Sequence, residues 1–138
     1  MDSINMLFKT VITTLGAFCG YFLGEWNTVL QILVSIVVID YITGVIAAGY
    51  NGNLKSKIGF RGISKKVMLF LLVGVSAQLD TVFGSHSTIR EATIFFFVGN
   101  ELLSILENAG LMGIKLPNAL IKAVEILNNQ SKQNKGEK

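Results

Sequence analysis

"VVIDYITGVIAAGYNGNLKSKIGF", Val37 to Phe60, decides how this chain folds. It sets one aspartate, Asp40, inside an otherwise uncharged apolar run and follows it at once with a glycine-rich, basic stretch. Asp40 is the only charge between Glu25 and Lys55, an interval longer than the roughly 20 residues that cross a bilayer. A soluble core helix of that length would show a polar face every three or four residues, and none is evident here. The twelve Val, Ile and Leu residues from Val29 to Ile46 favour insertion by roughly −4 to −7 kcal/mol, against about +2.5 to +3.5 for Asp40. The segment therefore inserts in spite of its charge.

Working outward, the 138-residue chain is 51% hydrophobic and only 15% charged, whereas soluble domains average roughly a quarter charged. The pattern predicts an all-α membrane protein with about four transmembrane helices in two hairpins, at residues 4–23, 26–49, 67–83 and 89–106. The first is diluted by Lys9, Thr10, Thr13 and Thr14, with Lys9 placed to snorkel to the interface. It reads as a span rather than a cleaved signal, because its start is weakly basic and no small-residue cleavage site follows. Phe18 before Cys19 argues against a lipoprotein site, and a lone cysteine reads as a buried apolar residue.

Charge sets the expected orientation. Between the second and third spans, residues 51–66 form a basic loop with Lys55, Lys57, Arg61, Lys65 and Lys66, and the tail carries further lysines. The two loops on the opposite side hold only Arg90. The positive-inside rule places both termini and the basic loop in the cytoplasm. Residues 1–109 are thus expected to form the transmembrane domain and residues 110–138 a short cytoplasmic amphipathic helix with a polar tail. Leu120, Ile121, Val124 and Leu127 recur on one face of that helix, which lies on the membrane surface or packs on the ends of the bundle.

Gly16, Gly20 and Gly24 make a GxxxGxxxG ridge on the first span, and Gly44 and Ala48 repeat the spacing on the second. Such ridges let helix backbones approach closely, within one protomer or between copies. The intramembrane polar candidates are Asp40, Asp80, Asn100 and Glu101. Asp40 falls near mid-membrane, Glu101 at a matching depth, and Asp80 near the outer boundary. Each acid is protonated, hydrogen-bonded between helices, or facing water. A proton relay would need a basic partner inside the membrane, and none is expected, since His86 lies in an outer loop. No catalytic motif, metal-ligand spacing or cofactor loop is present. "GFRG", Gly59 to Gly62, matches a bare RNA-binding GxxG, but between spans it points to no nucleic acid. The basic loop is placed to meet anionic lipid, or serves only as a topology signal.

From Asp40 onward the chain resembles the bacteriophage lysis and toxin-secretion holins of Gram-positive systems. The resemblance rests on "DYITGVIAAGYNGNLKSKIGFRGISKKV", with its acid, Gly44, Ser56, Gly59, Gly62 and the Lys65-Lys66 pair. It continues with Asp80 and with "NELLSILENAGLMGIKLP", Asn100 to Pro117, and covers about two-thirds of the chain. It implies a non-enzymatic protein that homo-oligomerises in the bacterial host's cytoplasmic membrane and forms lesions releasing an endolysin, with host cell lysis, or a large toxin. Lys9, the threonines and Glu101 are then candidates to line the opening. The alternatives are a small ion channel or transporter with intramembrane carboxylates, and a membrane scaffold or regulator without a pore.

Overall fold

The computed structural model describes residues 1–123, 125, 126 and 129. Four helices follow in order: α1 (Asp2–Leu23), α2 (Thr28–Tyr50), α3 (Ser56–Phe83) and α4 (Thr88–Leu111). All four are long and apolar enough to cross a membrane. The 23 residues of α2 reach about 34 Å at helical rise, enough for the hydrocarbon core. The Asn27 side chain caps its start by accepting the Leu30 N–H at 3.1 Å.

The expected all-α membrane architecture is present, with different helix limits. The basic 51–66 segment is largely helical, because α3 begins at Ser56. Gly59 and Gly62 let this part of α3 lie against Tyr41 of α2. A Cβ on Gly59 would stand 3.4 Å from the Tyr41 hydroxyl, and one on Gly62 3.6 Å from the ring. At the other end α4 runs on to Leu111. Residues 118–123 are helical, whereas Val124 and Leu127 lie outside the described residues.

Packing does not follow chain order. α4 lies against both α2 and α3, and α1 packs on α3 rather than on its sequence neighbour α2. Leu30, Leu33 and Val37 of α2, Leu69 and Val73 of α3, and Ile94 of α4 form the core. These positions recur at three- and four-residue intervals, one stripe per helix. Most other large apolar side chains face outward, as expected where lipid is the solvent.

No residue of α1 is buried. Its attachment depends on Phe22, whose ring fills the space beside Gly74. A Cβ there would come within 1.8 Å of the ring. Gly74→Ala should therefore displace Phe22 and loosen α1 while α2–α4 stays packed. Hydrogen exchange in lipid nanodiscs should become about tenfold faster in α1 alone. Adding Gly74→Ala to Phe22→Ala should do little more, and unchanged exchange in the single variant would rule out this attachment.

Candidate functional site: a lysine between two buried carboxylates

The α3 stripe of Leu69, Val73, Ser76 and Asp80 extends one turn back to Lys66. This position turns the lysine into the bundle. Its Nζ lies 2.6 Å from Asp40 Oδ2 of α2 and 2.7 Å from Glu101 Oε2 of α4. All three side chains are at least 85% buried, with exposures of 15%, 9% and 13%. Asn108 completes the cluster. Its Nδ2 donates to Asp40 Oδ1 at 3.1 Å, to the Asp40 carbonyl at 3.2 Å and to Thr43 Oγ1 at 2.9 Å. Thr43 in turn donates to the Asp40 carbonyl.

This corrects the expectation that no basic partner exists inside the membrane. Lys66 stands at the edge of the apolar run that starts at Val67, where hydropathy groups it with the basic loop. The available signal was its phase, three and seven residues before Leu69 and Val73 on the inward face. Arg90, read only as a loop charge, is likewise a buried residue of α4 with 2% exposure.

Arg90 organises the opposite end of the bundle. Its Nε donates to the Leu23 carbonyl at 2.7 Å and its Nη2 to the Glu25 carbonyl, tying the α1–α2 turn to α4. Gly24 in that turn has φ +83, and a Cβ there would stand 3.2 Å from Arg90 Nε. Gly24 thus lies beyond α1, and the helical part of the glycine ridge ends at Gly20. Asp80 does not simply reach water: it accepts from Ser85 Oγ at 2.6 Å, Ile89 N at 2.9 Å and Arg90 N at 2.8 Å. A carboxylate on the first free N–H groups of α4 also meets the positive end of the helix dipole.

The other sequence candidates are dispersed. Gly44 faces Asn108, which lies 3.6 Å from where its Cβ would be, and Ala48 is half-buried. Asn100 is exposed beside Glu101 and does not join the cluster. Gly16 and Gly20 have nothing within 4 Å of an added Cβ. Lys55, Lys57, Arg61 and Lys65 are exposed around the start of α3. Among the described residues no group of three or more His, Cys, Asp or Glu side chains is placed to hold a metal. The lysine–carboxylate cluster forms the floor of a crevice of about 810 Å³ between α2, α3 and α4.

Removing one member of a buried ion cluster leaves an uncompensated charge. Lys66→Gln should destabilise the bundle by about 3–5 kcal/mol, read as a lower midpoint of unfolding in detergent. Adding Asp40→Asn and Glu101→Gln should restore most of the loss. A single variant as stable as the parent would show that Lys66 does not hold the helices together.

The model of the bacteriophage holin family matches residues 17–129. An uncharacterised protein of Listeria monocytogenes is 43% identical over 93% of this chain and 91% of its own length. An uncharacterised 14.9 kDa protein from the nagH 3′ region of Clostridium perfringens is 34% identical, covering 94% of this chain and 99% of its own. A protein of Bacillus phage phi105 named "Probable holin" is 33% identical over 83% of this chain and 84% of its own. No solved structure matches. The chain belongs to the bacteriophage holin family.

Proposed function

We propose that this member of the bacteriophage holin family oligomerises in the bacterial cytoplasmic membrane and opens lesions there. Through them an endolysin, or a large secreted toxin, leaves the cell. The family's name and the relative named "Probable holin" support a holin-like role. The lesion and its passenger are the further step.

The observation that carries this reading is the uncovered face of α1. Asp2, Asn5, Lys9, Thr13, Gly16 and Gly20 recur every three or four residues, and all are exposed. Lys9, Asn5 and Thr13 on one stripe of a spanning helix are poorly suited to lipid, which offers no hydrogen bonds. A second protomer or a water-filled opening satisfies them. The glycines of the same stripe let another helix approach closely. Asp40 and Glu101 take a different part in this scheme. Their pairing with Lys66 fits them to hold a protomer together, so α1 rather than Glu101 supplies the lining.

The charge distribution supports an orientation with both termini inside. Lys55, Lys57, Arg61 and Lys65 are exposed at one end of the bundle, whereas Arg90 at the other end is buried.

Expression in bacteria together with a cytoplasmic muralytic enzyme tests the proposal. Sudden, delayed lysis that requires the enzyme is expected. Gly16→Leu with Gly20→Leu should lengthen the delay by about twofold or more and shift the crosslinked oligomers to smaller sizes. Steady growth with ion leakage and no release of the enzyme would instead favour a channel.

A further inference from the structure

We propose that the crevice above the Lys66 cluster is a binding site for one anionic phospholipid, with its phosphate at the crevice rim and an acyl chain along the crevice wall. This site is independent of whether the protein opens lesions.

The crevice combines two surfaces that suit such a molecule. Val45, Ala48, Leu54, Ile58 and Leu111 give it an apolar wall spanning three helices and the α2–α3 turn. Lys55, Arg61 and Lys65 stand at its rim, and none of them forms an ion pair among the described residues. Their level in the bundle is set by the chain itself, because they flank the first turns of α3, just outside the apolar run that starts at Val67. Cations at that level meet lipid phosphates, while the wall beneath them continues toward the hydrocarbon.

Charge placement orders the ligand further. Asp40 and Glu101 sit on the floor, where Lys66 and Asn108 already engage them. A phosphate is therefore repelled from the floor and drawn to the rim, with the free cations. The same balance disfavours the remaining C-terminal segment as the occupant. Residues 130–138 carry Lys132, Lys135 and Lys138 against the single acid Glu137, so they share the sign of the rim. A neutral lipid would fill the wall but leave the three cations without a counter-charge.

The geometry of the entrance depends on residues whose sequence role was otherwise unexplained. Gly59 and Gly62 seat α3 on Tyr41, and Asn51 closes the far side by donating to the Leu111 carbonyl at 3.1 Å. The Asn51–Leu111 contact ties α2 to α4 about three helical turns from the Lys66 cluster, and the crevice lies between the two.

The test uses the full chain in nanodiscs made from equal amounts of phosphatidylglycerol and phosphatidylcholine, with retained lipid identified by native mass spectrometry. One retained phosphatidylglycerol per chain is expected. Replacing Lys55, Arg61 and Lys65 together by Gln should reduce the preference about tenfold. Replacing Lys57, Lys115 and Lys122 by Gln removes the same charge outside the crevice and should leave it unchanged. Ala48→Phe should lower retention by filling the wall, with helicity checked by circular dichroism. Equal retention of the two lipids would overturn the proposal. So would equal losses in the two triple variants, which would indicate diffuse surface attraction. Displacement by the soluble headgroup, glycerophosphoglycerol, as effective as by intact lipid would reassign the site to a soluble anion.

Discussion

The Lys66 ammonium, shared between Asp40 and Glu101, is the interaction on which the three-helix core depends. Hydrophobic attraction does little to hold helices together in a bilayer, because lipid tails are as apolar as leucine. Van der Waals packing and polar contacts must do it. α2, α3 and α4 each contribute one charged member, so the cluster is satisfied only when all three helices meet in one register. A slip of one residue in any of them would rotate a charge by about 100° toward lipid. The cluster therefore specifies the arrangement as well as contributing to its stability.

A second polar assembly closes the end of the bundle where the α1–α2 and α3–α4 turns lie. Asp80 anchors the first N–H groups of α4, and Arg90 reaches across to the carbonyls of Leu23 and Glu25. Between the two assemblies lie Leu33, Val37, Leu69, Val73 and Ile94, together with the hydroxyl pair Ser76–Thr93 at 2.8 Å. The bundle thus carries one charged assembly about midway along α2 and α4 and another at the Asp80–Arg90 end, with a mainly apolar layer between them. Both assemblies are built from residues that would be expensive to leave facing hydrocarbon, which makes partly assembled protomers unfavourable.

Much of this was legible in the sequence, and the omissions have physical causes. Four apolar helices follow from run length and composition, because a bilayer imposes its thickness on any chain that crosses it. The importance of Asp40 follows from its isolation among aliphatic residues. Lys66 was obscure because hydropathy assigns a lysine at the edge of an apolar run to the loop, and only its phase with Leu69 and Val73 shows where it points. Arg90 was obscure for the same reason at the other edge. The order of packing was not legible at all. Short connections favour neighbouring hairpins, yet α1 sits on α3, where the Phe22 ring occupies the notch at Gly74. That pairing depends on one ring and one missing side chain 52 positions apart, and no local pattern reports it.

The contrast between α1 and the rest of the protomer bears directly on how a stable membrane protein can also rearrange. Asp40, Lys66 and Glu101, one from each of α2, α3 and α4, pair with one another inside the bundle, so little of their polarity is left to meet a neighbour or water. α1 has the reverse character. Asp2, Asn5, Lys9, Thr13, Gly16 and Gly20 share one exposed stripe, and the main helix partner of α1 is α3. A helix so attached exchanges partners at small cost, because few buried contacts are lost when it moves. On the proposed function, the same stripe would meet another protomer's glycines when densely packed and water when the packing opens. Local concentration would then select between the two, while the Lys66 cluster and the Arg90 clamp keep each protomer's core unchanged. On that reading, stability and rearrangement would fall to different helices of one small chain.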